Sequence, residues 1–257
     1  MKDVQNEKDT RNIPLKRVGV NNVLYPIQVM DRKNKFQYTI AHINMYVNLP
    51  EEFRGTHMSR FLEVLNAHRS NMSISNLENI LDDMKRKLNA RAAHIEIRFP
   101  YFILKKAPVS QIASFMNYDC AFIASKEKDF DFILEVNTPV HTLCPCSKEI
   151  SRFGAHNQRG IIKVQVRMKR LVWIEEIVEI SENAASAPLY ALLKRRDEKY
   201  VTEKAYLNPK FVEDVVRDVS LALDKDSRIT YFAVEAINFE SIHNHNAYAF
   251  TSKDKRY

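Results

Sequence analysis

The apolar residues of this chain switch between the two-residue period of a strand and the 3.6-residue period of a helix in a fixed order, and that order occurs twice. Val23–Val29 and Phe36–Leu49 are rich in apolar and β-branched residues and are joined by the polar turn Asp31-Arg-Lys-Asn-Lys35, which predicts two strands. Pro50 to Gly55 ends the second. Met58, Phe61, Leu62 and Leu65 then fall at helical spacing, and so do Leu77, Ile80, Leu81, Met84 and Leu88, where Ser75 and Glu78 predict a capping box. Ile95, Ile97 and Phe99 alternate with Glu96 and Arg98, and a further strand is expected around Asn117–Ala124. The second half repeats the pattern. Strands are predicted from Phe130 to Val136 and from Ile162 to Met168. A helix follows from Trp173 to about Leu193, broken by Pro188, and a second begins at Asn208 as N-cap with Pro209 in the first helical position. Strands at Ile229–Glu240 and Ala247–Thr251 complete it. The expectation is an α+β protein of two ββααββ modules, each an antiparallel four-stranded sheet with a helix pair on one face. Residues 1–21 form a lead-in, 22–125 the first module and 126–257 the second. Such sheets have unpaired edges, which a closed ring of copies would satisfy.

Composition narrows what these modules can bind. Glycine is scarce: Gly19, Gly55, Gly154 and Gly160 are the whole supply, so neither a Walker loop nor a G-x-G-x-x-G turn can be built. A phosphorylated ligand would have to be held by side chains and helix ends. The net charge of +7 favours anionic partners, although the basic residues are spread along the chain. The polar start predicts no signal peptide, and no apolar run approaches the roughly 20 residues that span a bilayer. Three cysteines, an odd number, point to a reducing cytoplasm.

The chemistry-bearing residues gather in the second half. Thr142-Leu-Cys-Pro-Cys-Ser-Lys-Glu-Ile-Ser-Arg-Phe-Gly-Ala-His-Asn-Gln-Arg-Gly160 holds Cys144, Cys146 and His156. Thiolate and imidazole are ligands for a borderline-soft divalent metal, and they are also the pair used when a cysteine becomes a nucleophile. Glu198, in Lys194-Arg-Arg-Asp-Glu-Lys199, can serve as metal ligand or proton carrier, or can simply join Asp197 in neutralising the basic run. That run is placed at the end of the first helix of the second module. Glu213 sits in the first turn of a helix, where the dipole favours a carboxylate and where it could also accept from the N–H edge of a guanine. His243 and His245, two apart in an extended segment, share a side and suit acid–base work or metal binding. His57 opens a helix and is read as a cap.

Taken together, Leu143-Cys-Pro-Cys-Ser-Lys-Glu-Ile-Ser151, Gly154-Ala-His-Asn-Gln-Arg159, Leu193-Lys-Arg-Arg-Asp-Glu-Lys199, Asn208-Pro-Lys-Phe-Val-Glu-Asp214 and Glu240-Ser-Ile-His-Asn-His245 resemble GTP cyclohydrolase I of type IB, as does Gly55-Thr-His-Met-Ser-Arg-Phe61. The resemblance runs from about Val20 to the C-terminus. It implies a tunnelling fold of two ββααββ modules assembled as a homotetramer in the cytoplasm, with no nucleic-acid or membrane partner. It also implies hydrolysis of GTP at C8, giving formate and 7,8-dihydroneopterin triphosphate for folate and for deazapurine tRNA-base precursors. Cys144, His156 and Glu198 are then the metal ligands, with a position left for water. Cys144, His243 and His245 are the catalytic residues and Glu213 the guanine anchor. Arg159 and Lys204 are triphosphate contacts, alongside Lys194 and Arg195. Cys146 takes a supporting part. Zinc, ferrous iron and manganese all suit such a donor set. Two other classes compete. One is a nitrile reductase of the same fold with a nucleophilic cysteine, whose nicotinamide motif is not evident here. The other is a basic metal-stabilised RNA-binding module, against which the aromatics fall at core spacing.

Overall fold

The computed structural model describes Gln5, residues 7–68 and residues 73–256. Its strands are β1 (Leu15–Asp31), β2 (Lys35–Leu49), β3 (Ala93–Lys106), β4 (Ala113–Lys126), β5 (Phe130–Leu143), β6 (Asn157–Met168), β7 (Ala187–Pro188), β8 (Ile229–Asn238) and β9 (Ala247–Asp254). Its α-helices are α1 (Met58–Ala67), α2 (Leu77–Leu88), α3 (Pro145–Ile150), α4 (Ile174–Ala184), α5 (Arg195–Leu207) and α6 (Val212–Lys225). The order is ββααββ twice, the second time with α3, β7 and α5 inserted.

The chain forms two compact units, one of Met1–Pro100 with Ala121–Ile133 and one of Tyr101–Cys120 with Leu134–Tyr257. In the first, β1, β2 and β3 are antiparallel neighbours. Alternation puts Ala41, Ile43, Met45 and Val47 of β2 and Ala93, Ile95 and Ile97 of β3 on one buried face. Phe61, Val64 and Leu65 of α1 and Leu77, Ile80, Leu81 and Met84 of α2 complete that core. The opposite face carries polar side chains, where Asn44 Nδ2 donates to Glu96 at 3.0 Å and His42 Nδ1 lies 2.6 Å from Asn22.

In the second unit β5, β6, β8 and β9 are successive antiparallel neighbours, and β7 pairs with β5. Register aligns Val136 with Val164 and Val164 with Val234 on the core side. α6 lies on β8 and β9 and against α4, burying Val212, Val215, Val216, Val219 and Leu223. Gly160 permits the closeness of β6 and β8 at the mouth of the site: a Cβ there would meet Asn238 Oδ1 at 2.7 Å and the Ile237 carbonyl at 2.9 Å.

Several elements differ from the periodicity. β1 begins at Leu15, ahead of the apolar run at Val23, with register shifts at Leu15/Val18 and Val20/Val23 that break its alternation. The Ser75–Glu78 capping box does not form. α2 is capped at Asn76 without a side-chain bond, after a 3-10 turn at Ile74–Asn76, and Glu78 accepts from Lys126 instead. The helix starting after Trp173 stops at Ala184, because Ala187 and Pro188 are taken up in pairing with β5, and proline holds its predecessor out of helical geometry. Lys194–Lys199 therefore opens the separate helix α5 and does not end α4. Asn208 closes α5, its side chain donating to the Ala185 and Ser186 carbonyls at 3.0 and 3.3 Å. α6 starts at Val212 behind Phe211, whose N–H donates to Asp214. His57 occupies the N-cap of α1 but makes no side-chain cap bond.

Candidate metal and nucleotide site

The end of β5 is fixed from both sides. The Leu143 N–H donates to Ser186 Oγ at 3.0 Å, and its carbonyl accepts from the Lys210 N–H at 3.1 Å. The interruption of α4 by β7 supplies the first contact and the Asn208–Lys210 segment the second. Cys144 follows as N-cap of α3, with Pro145 in the first turn, where a missing N–H costs nothing. The Ser147 N–H donates to Cys144 Sγ at 3.4 Å. The loop then returns through Gly154, whose φ of +134° suits glycine, and closes with the Cys144 N–H donating to the His156 carbonyl at 3.1 Å. Ser147 adds a second clasp, its Oγ accepting from the His156 N–H at 3.0 Å. Lys148 ties α3 to the end of α5, its Nζ donating to the Tyr206 carbonyl at 2.7 Å.

The His156 side chain is 10% exposed. Its Nδ1 is 3.0 Å from Gln158 Oε1 and 3.6 Å from Glu240 Oε2, so two oxygen acceptors face that nitrogen, and Nε2 is the one that a metal would take. The His243 ring stands edge-on to His156 with centroids 6.3 Å apart, and His243 stacks on His245 at 5.1 Å. The histidine pair does share a side, as expected, although the segment between β8 and β9 consists of bends and not extended strand. Both imidazoles are exposed.

The structure thus brings Cys144, His156, His243 and His245 together, and adds Glu240, Gln158 and Ser147, to which no role follows from sequence alone. Gln158 is the second residue of β6 and His156 immediately precedes that strand, two residues away. Glu240 follows β8, and nothing in the residues of that strand reveals that the chain beyond it folds against His156. Cys144 and His156 are paired through one backbone hydrogen bond with the imidazole held at Nδ1, and thiolate and imidazole are a donor set of the kind a divalent metal takes. Among the described residues of the chain, no three His, Cys, Asp or Glu side chains converge to hold one.

Glu198 is exposed in the first turn of α5. Its neighbour Asp197 is wholly buried and does not serve the basic run: Oδ1 accepts from the N–H groups of Val109 at 2.8 Å and Ser110 at 2.7 Å, and Oδ2 from that of Lys194 at 2.9 Å. It locks the β3–β4 turn to the start of α5. Burial works to raise the Asp197 carboxyl, but the Ser110 hydroxyl and N–H and the N–H groups of Lys194 and Val109 outweigh it and hold the group well below the usual carboxylate range. Glu213, exposed in the first turn of α6, borders a groove of about 670 Å³ lined also by Arg217, Leu221, Phe250 and Lys253. Arg159 is exposed on β6, with its carbonyl accepting from Phe239; Lys204 is half-buried on α5 and Cys146 exposed on α3.

Solved structures with this architecture include a uricase from Bacillus fastidious, 7% identical with a TM-score of 0.57, and the uricase from Arthrobacter globiformis, 6% identical with a TM-score of 0.54. Each match covers 93% of both chains. At such identity the likeness is one of fold, and the class is the α+β tunnelling fold. The sequence comparisons go further. The family model of type I GTP cyclohydrolase folE2 matches residues 1–249. A GTP cyclohydrolase FolE2 from Kosmotoga olearia is 58% identical over 255 residues, covering 99% of each chain. Another from Geotalea uraniireducens is 57% identical over 256 residues, covering 100% of this chain and 94% of its own. The chain belongs to the type I GTP cyclohydrolase folE2 family.

A carboxyl depressed in the folded state stabilises it above the unfolded pKa of about 4, and that contribution is lost as pH falls towards the lower folded value. The urea midpoint of the wild type should therefore fall more steeply than that of Asp197→Asn as pH drops from about 5 to 2. Parallel curves would contradict the assigned hydrogen bonds.

Proposed function

We infer that the chain is a GTP cyclohydrolase, taking GTP and water to formate and 7,8-dihydroneopterin triphosphate at the entry to folate and deazapurine tRNA-base precursor synthesis. The observation that carries this is the Cys144–His156 pair beside the stacked His243–His245 imidazoles, in a chain of this family. Cys144, His156 and Glu198 would hold one divalent ion, zinc, ferrous iron or manganese. Bound there, the ion supplies a Lewis acid that makes water nucleophilic near neutral pH.

The chain's own residues do the rest. Glu213 accepts from the N1–H and amino group of guanine, a two-point contact that orients the base. His243 and His245 hold protons beside the imidazole ring of the substrate, where N7 must be protonated as water adds to C8, and later beside the ribose. His156 reaches that pair edge to face. Arg159 and Lys204, with Lys194 and Arg195, neutralise the triphosphate in the absence of any glycine cradle. A homotetramer is part of the proposal. It is supported by β1 and β9, each of which has one strand neighbour among the described residues. Residence in the cytoplasm agrees with three free cysteines.

Metal-loaded protein incubated with GTP should release formate and yield a fluorescent pterin on oxidation, and chelator should abolish both; Cys144→Ala should fail in either condition. A metal-replete protein that makes neither product would overturn the assignment. Glu213→Gln should keep its metal and raise KM for GTP by roughly 10- to 100-fold, the worth of one charge-assisted hydrogen bond. An unchanged KM would remove Glu213 from the base site.

A further inference from the structure

The side chain of Gln158 is placed between two groups of the site and belongs to neither set of residues assigned above. It is buried, 6% exposed, and its Oε1 lies 3.0 Å from His156 Nδ1 while its Nε2 donates to Thr142 Oγ1 at 3.0 Å. Thr142 is wholly buried on β5, paired in register with Gln158 on β6. The amide could be turned the other way as far as Thr142 is concerned, because a hydroxyl both donates and accepts. Glu240 decides the orientation. Its carboxylate, 3.6 Å from the same Nδ1, favours a proton on that nitrogen, and an N–H there requires the oxygen of Gln158 and not its NH2 group.

We propose that Gln158, clamped by Thr142, is the positioning residue that fixes the Nδ1–H tautomer of His156 and turns the Nε2 lone pair towards the metal. The relay runs Thr142 Oγ1, Gln158 amide, His156 imidazole: the first link crosses from β5 to β6 and the second spans the two residues where the loop enters β6. An imidazole free to choose its tautomer spends part of its time with Nε2 protonated and unable to bind a metal. Partners of this kind change metal affinity by roughly 10- to 100-fold when removed. The proposal rests on His156 being a metal ligand, so its test reads the imidazole with and without metal.

Full-length protein labelled with 15N in histidine alone would be examined before and after addition of zinc, together with a zinc titration against a competing chelator. Wild type should show His156 protonated at Nδ1 in the metal-free state. Gln158→Leu and Thr142→Val should show mixed tautomers and bind zinc roughly 10- to 100-fold more weakly. Gln158→Glu and Thr142→Ser, which keep the acceptor and the hydroxyl, should restore both readouts. Thr142→Val guards against a Gln158→Leu protein that fails to fold. If the tautomer survives in Gln158→Leu and is lost in Glu240→Gln, the carboxylate is the orienting group and the proposal falls. If wild type binds no zinc yet shows the Nδ1–H tautomer and loses it in Gln158→Leu, the positioning role stands and the metal assignment fails instead.

Discussion

The hydrogen bond from the Cys144 N–H to the His156 carbonyl closes the loop on which the site depends. A loop of this length pays a modest closure entropy. That cost is offset by the Ser147 clasp, by the short helix α3 and by the Lys148 contact to Tyr206. What the closure achieves is chemical. A thiol and an imidazole that are far apart in an extended chain are held on adjacent backbone positions, at the end of a strand already fixed by Ser186 and Lys210. Remove the registration of β5 with β6, and Cys144 and His156 lose their backbone pairing before either side chain is altered.

The second unit is built to deliver that registration. The two-residue strand β7 and the side chain of Asn208 fill the gap left where α4 stops, so the irregular stretch between α4 and α6 braces the end of β5. Gly160 lets β8 approach β6 closely enough for the segment leading to Glu240 to fold back on His156. Asp197 does similar work at the other end of α5. Its carboxylate satisfies backbone N–H groups at a turn and a helix start, both of which would otherwise leave donors unpaired in the interior.

Much of the fold was legible in the sequence, and for a definite reason. Where one face is buried, as at Ile43, Met45 and Val47 or at Val215, Val216 and Val219, the spacing of apolar residues records the element directly. It failed where side chains answer to the backbone instead of to the core. Asn208-Pro209 carries a strong helix-start signal, yet its amide is used to close α5 and satisfy carbonyls of the preceding loop. Leu15–Asn22 is polar and bulged, and becomes strand through its pairing with β2. In the site, the loop cysteine, His156 and the histidine pair could be picked out by residue type and spacing. Glu240, Gln158 and Asp197 could not, because their roles come from partners distant in sequence, and burial of Asp197 among N–H donors leaves no mark in the local charge pattern.

The proposed function requires Cys144 and His156 to bind one ion, which X-ray absorption at the metal edge of zinc-loaded wild-type protein would report. It should show one sulfur at about 2.3 Å together with imidazole nitrogen at about 2.0–2.1 Å, and Cys144→Ala should lack the sulfur shell. A first shell of oxygen and nitrogen alone in the wild type would contradict it.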